Sequence, residues 1–254
     1  MTTNAPDRQS WPAASSHAAR ASFGLAIVGF GLLWLGPLGS TLGMLSPLFG
    51  FTMALGSVPL ALLSLLLGLV GLYHTRASKG LRGRSRAWIG VGYGVITLLL
   101  VIMTLALRPG VPRINDVTTD LSDPPRFSAI AELEENRDRD LSYPLSFSTE
   151  QKKGYPGLAP IVLEEPPERA LQRALSAARA LGWRIVATQP ERGLFEATAQ
   201  SRVFHFVDYV VVRIRAHESG GSVVDVRSKS RDGKGDLGVN AARIHAFVAE
   251  LRGR

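Results

Sequence analysis

The chain has no cysteine, which removes disulfides, thiolate metal sites, iron–sulfur clusters and cysteine nucleophiles together. Acid is nearly missing from its first part: within 1–109, Asp7 is the one acidic residue against eight Lys and Arg. Charge of either sign is absent from Ala21 to Tyr73, and again from Ala87 to Leu107. No H-E-x-x-H, H-x-x-x-H or G-x-S-x-G occurs, so the signatures of zinc and serine hydrolases are missing too. What is present is a chain of 254 residues, 46% hydrophobic, which excludes a disordered or collagen-like polypeptide and leaves room for one or two domains.

The net charge of +8 has an uneven origin. Residues 110–254 hold 21 basic and 20 acidic groups and are nearly neutral, so the excess lies beside the apolar runs. A nucleic-acid binder needs its positive field on the folded domain, to neutralise phosphates. The basicity therefore points to a membrane and not to nucleic acid.

The 53 uncharged residues from Ala21 to Tyr73 would make a helix of about 80 Å, against a hydrocarbon core of about 30 Å. They must cross twice, with a break at Gly43-Met44-Leu45-Ser46-Pro47. The expected spans are Phe23–Leu42, Phe49–Tyr73 with a kink at Pro59, and Ala87–Leu107. The loop His74–Arg86 carries Arg76, Lys79, Arg82, Arg84 and Arg86 and no acid, which predicts the cytoplasmic side for it. The N-terminus then lies inside as well, and everything after Arg108 outside, in a multi-pass protein of the cytoplasmic membrane. A cleavable signal peptide over the first span is the competing reading. No Asp, Glu, Lys, Arg or His lies within a span, so the helices read as an anchor and not as a transport path. Gly39-x-x-x-Gly43 and Gly90-x-x-x-Gly94 have the spacing of close helix contacts, but neither has a second small ridge beside it. They are expected to reflect composition.

Nine of the 15 prolines fall between Pro109 and Pro167, which excludes long helix and central strand there. With Phe127, Tyr143, Phe147 and Tyr155, which a mere spacer would not need, this stretch reads as an extended strap lying against the following domain, with a short helix around Ser128–Asn136. After Pro166-Pro167 a helix is predicted from Leu171, Ala174, Leu175, Ala178 and Leu181, stopping at Gly182. Strands follow at Trp183–Thr188, Leu194–Gln200, Val203–Arg215 and Ser222–Ser230, then a helix over Leu237–Arg252. The expected fold is a three-helix membrane anchor plus an α+β domain, with an antiparallel four-stranded sheet flanked by two helices and a Pro-rich N-terminal strap. The expected boundaries are a cytoplasmic tail at 1–22, the anchor at 23–107, the strap at 108–165 and the domain at 166–254.

Four dispersed segments carry a family resemblance. Arg113-Ile-Asn-Asp-Val-Thr-Thr-Asp-Leu-Ser-Asp-Pro-Pro-Arg-Phe127 resembles the opening motif of the bacterial domain-of-unknown-function 1499 family. Phe195-Glu-Ala-Thr-Ala and Phe206-Val-Asp-Tyr-Val-Val-Val-Arg-Ile214 fit its middle, and Arg227–Ile244 resembles its second motif. The resemblance spans 111–252, and members with several membrane helices before the domain are familiar. This sequence has Gly235 where the family often has serine, and Tyr209 where it often has a second acid. The resemblance implies no established activity.

Asp208 interrupts the apolar face formed by Phe204, Phe206, Val210, Val212 and Ile214, and a buried carboxylate needs a partner, here Arg231 or Arg243. His205 falls on the opposite face by strand parity. Gly233-Lys-Gly-Asp-Leu-Gly238 spells G-x-G-x-x-G but lacks the second parallel strand and ribose acid of a dinucleotide site. Arg231, Lys234 and the free N–H groups of the helix start offer an anion site, unless Asp236 simply caps that helix. Asp116, Asp120 and Asp123 lack calcium-loop spacing and are expected to cap turns.

The expected function is binding, without catalysis, of an envelope protein, polymer, lipid head group or other anionic ligand. The candidate binding residues are Asp208, Arg231, Lys234, Asp236, Asn240 and Arg243, with no metal and no cofactor. An envelope hydrolase using Asp208 with Arg231 or Arg243 is the alternative, and an accessory subunit of a membrane complex is a third. An Asp208 open to a cleft would favour the hydrolase, and a sealed one would remove it.

Overall fold

The computed structural model describes residues 14–106 and 110–253. The chain divides into two compact units, one within 1–107 and one within 108–254.

The first unit is built from α1 (His17–Thr41), α2 (Pro47–His74) and α3 (Arg84–Ala106). Each is long and apolar enough to cross a membrane. Ser16 caps α1 by accepting from the Ala19 N–H, and Ser46 caps α2 through Phe49, with Pro47 in its first turn. The break falls where the sequence placed it, whereas α1 begins six residues before the expected Phe23.

Packing in this unit is the reverse of a water-soluble bundle. Ala19, Ser22, Ala26, Ser57, Ala61, Ser64 and Ala87 are buried, while Phe30, Trp34, Leu55, Leu66 and Ile96 are more than half exposed. Small residues bring backbones together. A side chain on Gly90 would meet Ser22 Oγ at 1.7 Å, and one on Gly94 would meet the Ala61 carbonyl oxygen at 2.6 Å. The hydroxyls fill the seam: Ser22 donates to the Ser64 carbonyl, and Ser64 to the carbonyls of Ser22 and Gly90. The Gly90/Gly94 pair is thus a true helix contact, against the expectation from composition. That contact lies within the chain. Gly43 by contrast only closes the turn after α1, with φ of +70° and open space where its side chain would be.

The second unit has one antiparallel sheet in the order β1-β6-β5-β4-β3, with β2 also paired to β6. The strands are β1 (Asp116–Thr118), β2 (Ile161–Leu163), β3 (Arg184–Gln189), β4 (Leu194–Gln200), β5 (Val207–Ala216) and β6 (Ser222–Ser230). The expected four strands are therefore six. The two additions are three-residue pieces of the strap, lying end to end along β6 between prolines. The strap also forms α4 (Phe147–Gly154), while only a single 3₁₀ turn, Glu134–Asn136, stands where a helix around Ser128–Asn136 was expected. Strand β5 starts at Val207, four residues late, because the chain turns at His205 with φ of +58°.

Helices α5 (Pro167–Ala180) and α6 (Val239–Leu251) cover one face of the sheet. There Phe195, Val210, Val212, Val224, Val226, Ile244 and Phe247 form the main core, with Trp183 stacked on Phe247 at 5.0 Å. The strap covers the opposite face, where Phe127, Ile130, Leu194, Tyr209 and Val211 make a second core. Both faces of β5 are consequently buried, which explains its unbroken Val-Val-Val run.

Candidate functional site

The six residues singled out from sequence separate into a buried network and an exposed edge. Asp208, on the helix face of β5, accepts from Arg243 Nη2 at 2.5 Å. Arg243 Nη1 donates to Asn240 Oδ1 and Ser228 Oγ at 2.7 and 3.0 Å, and the Asn240 amide donates to Ser230 Oγ at 2.9 Å. Asp208 is 3% exposed and Asn240 is 0% exposed, so this network ties α6 to the sheet. Burial pushes the Asp208 carboxyl up, with the Arg243 charge pulling against it. Arg243 is the partner of Asp208; Arg231 instead reaches Asp232 at 3.1 Å and lies 3.9 Å from Glu135.

Asp236 caps α6, accepting from the N–H groups of Gly238 and Asn240 at 2.9 and 2.7 Å. The glycine-rich loop thus directs its helix N-terminus at the chain's own carboxylate, and Lys234 stands exposed beside it. A cleft of about 220 Å³ lies against Arg243, lined by Trp183, Gln200 and Arg202, but Asp208 does not reach it. The carboxylate required by a hydrolase is sealed beneath the helix.

A charged layer under the strap escaped the sequence reading. On β5 and β6, Arg213, Arg215, Asp225, Arg227 and Lys229 share the strap face by strand parity. Arg213 reaches Asp120, Asp123 and Asp225 at 3.2, 2.7 and 3.0 Å, and Arg215 reaches Asp120 and Asp225. Asp116 holds Arg227 and Lys229. Glu196, fully buried on β4, accepts from the N–H groups of Ser128, Ala129 and Ile130 and from the Ser128 hydroxyl, all within 2.6–2.9 Å. These contacts dock the strap. Asp120 does accept from Ser122 and Asp123 as a turn cap, yet Asp116 and Asp120 are mainly buried partners of arginine. At Asp120 burial works upward, but the Ser122 and Asp123 hydrogen bonds and the Arg213 charge outweigh it and lower the carboxyl.

A larger opening, about 650 Å³, lies along this strap. Phe127, Leu141, Tyr143 and Leu145 supply its apolar surface, and Leu145 is 80% exposed. Arg227 passes beneath as a buried guanidinium, 4.9 Å from the Phe127 ring centre and 5.6 Å from that of Tyr143. Burial, aided by the Asp116 charge, pushes the Tyr143 hydroxyl up to about 12. Two more arginines line the opening. Arg139 donates to the Arg231 carbonyl at 2.5 Å and pairs with Asp232 at 3.3 Å, joining the groove to the corner predicted from sequence. Arg126 is exposed and makes no ion pair among the described residues. Among the described residues no group of three or more His, Asp or Glu is arranged to hold a metal ion.

The family model described as a protein of unknown function (DUF1499) matches residues 116–251, from the first residue of β1 to the last of α6. No curated protein matches the chain.

Proposed function

The chain belongs to the DUF1499 family of proteins of unknown function, and from that premise we propose that it is a membrane-anchored binding protein. Three helices hold it in the bilayer, and the unit within 108–254 binds a ligand with an acidic group and an apolar body. Large apolar side chains outside and small ones inside suit helices solvated by lipid, where close backbone packing replaces the hydrophobic effect. The basic loop between α2 and α3 supports a cytoplasmic position for that loop, which puts the second unit outside the cytoplasm.

The single observation that carries the binding reading is Arg126, a cation without an ionic partner among the described residues, on the rim of the aromatic and aliphatic groove. The volume is in the range of small-molecule sites, and a convergent charge over apolar walls gives such a site its orientation. Arg139 adds a second charge, and through it Arg231 and the exposed Lys234 edge extend the recognition surface. Asp208, Asp236, Asn240 and Arg243 serve as the frame. Catalysis at Asp208 would need the carboxylate uncovered.

The test is calorimetric titration of the full chain in lipid nanodiscs with hexyl phosphate, inorganic phosphate and hexanol, each against empty discs. Saturable binding of hexyl phosphate alone, lost in Arg126→Gln and in Leu145→Ser, is expected. Equal binding by empty discs or by both variants contradicts the groove.

A further inference from the structure

Three helix ends meet at the basic end of the first unit. The segment before α1 is stitched to the loop before α3: Ser16 N–H donates to the Arg82 carbonyl at 2.9 Å, and Arg82 N–H to the Ala14 carbonyl at 3.0 Å. Close by, Gly71 of α2 and Gly83 abut Ala19. The start of α1, the end of α2 and the start of α3 are therefore neighbours, and they bring His17, Arg20, Arg76, Lys79, Arg82, Arg84 and Arg86 to one end. Residues 14–106 contain no Asp or Glu, so no acid among the described residues of this unit neutralises them. The five cations from Arg76 to Arg86 are all exposed.

Two of these charges are gathered on one ring. A 3₁₀ turn, Ala77–Lys79, ends at Gly80 with φ of +68° and folds the chain back over the last turn of α2. That return places the Arg76 guanidinium 5.1 Å and the Lys79 ammonium 4.7 Å from the centre of the Tyr73 ring. The ring face attracts each cation, but the two repel one another. A single anion between them would turn that repulsion into two favourable contacts.

Tyr73 also continues an apolar track. Leu66, Leu69, Val70 and Tyr73 recur at the spacing of one helix face and are 52%, 51%, 44% and 48% exposed. A phosphate held by Arg76 and Lys79 would have this track beneath it. That combination fits a charged head on two acyl chains better than a free ion.

We infer that Arg76 and Lys79, held on Tyr73, bind the phosphate of an anionic phospholipid whose acyl chain lies along Leu66, Leu69 and Val70. The site rests on the reading that α1, α2 and α3 span a bilayer. It is separate from the groove of the second unit, and it adds a specific contact to the general attraction of basic segments to anionic leaflets.

Trp88 provides the readout. It is 54% exposed, and its neighbour Ala87 abuts Gly68, about one and a half helical turns from Tyr73. The full chain, with Trp11, Trp34 and Trp183 replaced by Phe, is placed in phosphatidylcholine nanodiscs. A minor fraction of dibrominated phosphatidylglycerol or dibrominated phosphatidylcholine is then included as quencher. Several-fold stronger quenching by the anionic lipid is expected, falling to parity in the Arg76→Gln/Lys79→Gln variant and unaffected by soluble glycerol phosphate. Equal quenching by the two lipids, or a preference that survives the double variant, overturns the site. Reversal by glycerol phosphate assigns the cations to free phosphate and overturns the lipid assignment. A chain that enters no disc overturns the spanning reading and this inference with it, whereas one that enters neutral discs without preference overturns only this inference.

Discussion

Arg227 and Asp116 form a two-bond ion pair at 2.9 and 2.7 Å, with side chains 1% and 0% exposed. The guanidinium has further acceptors in the carbonyls of Pro125 and Leu141, so one side chain of β6 holds β1 and two turns of the strap. Removing Arg227 leaves the buried Asp116 carboxylate with Lys229 alone, at 3.1 Å, and breaking a buried pair from one side costs about 3–5 kcal/mol. Arg227→Met should therefore destabilise the second unit by about that amount, and adding Asp116→Val should recover much of it. Urea unfolding followed by Trp183 fluorescence, with the other tryptophans replaced by Phe, measures both. Equal losses in the single and double variants would contradict the pairing.

Tyr143 closes the same corner and donates to Gln151 Oε1 at 3.2 Å. In the unfolded chain its hydroxyl ionises near the ordinary tyrosine value of 10, whereas in the fold it holds its proton up to about 12. Between those values the folded state carries a proton that the unfolded state has lost, so stability falls as pH rises through that window. In an absorbance titration Tyr143 should contribute a late step, alongside Tyr209, which burial also raises. The Tyr143→Phe variant should lose that late step and the matching slope of stability with pH.

Gly94 and Gly92 are neighbours on α3 with opposite surroundings. A side chain on Gly94 would strike the Ala61 carbonyl, while Gly92 has nothing within 4 Å. Gly94→Val should weaken the helix bundle by about 1–3 kcal/mol through overpacking, and Gly92→Val should be near neutral. Thermal unfolding of both variants in one detergent, followed by circular dichroism, separates them. Equal midpoints would contradict the packing.

The helices were legible because absence of charge over a membrane's thickness has few other readings. Strands β3, β4 and β6 were legible from their β-branched residues and turns, but β1 and β2 were not, since three residues between prolines carry no periodic signal. Their strand character comes from β6, which supplies their hydrogen bonds. Gly90 and Gly94 could not be told from chance by spacing alone, because the small ridge facing them, Ser22, Ala61 and Ser64, belongs to other helices. The groove and the charged layer were missed for a related reason. Alternating Asp225, Arg227 and Lys229 look like a solvated strand face, and they become buried only when the strap lies over them. Phe127 and Tyr143 in a proline-rich segment did point to a strap lying against the domain, but not to which face of the sheet it covers.

The side of the membrane on which the second unit lies is tested most directly by reporters fused after Arg254. One reporter is an enzyme active only outside the cytoplasm, and the other is a protein fluorescent only inside it. An active enzyme and a dark fluorophore are the predicted pair, placing the Arg126 groove outside and the Arg76–Arg86 loop inside. A fluorescent fusion with an inactive enzyme would contradict that orientation and put the groove among cytoplasmic ligands.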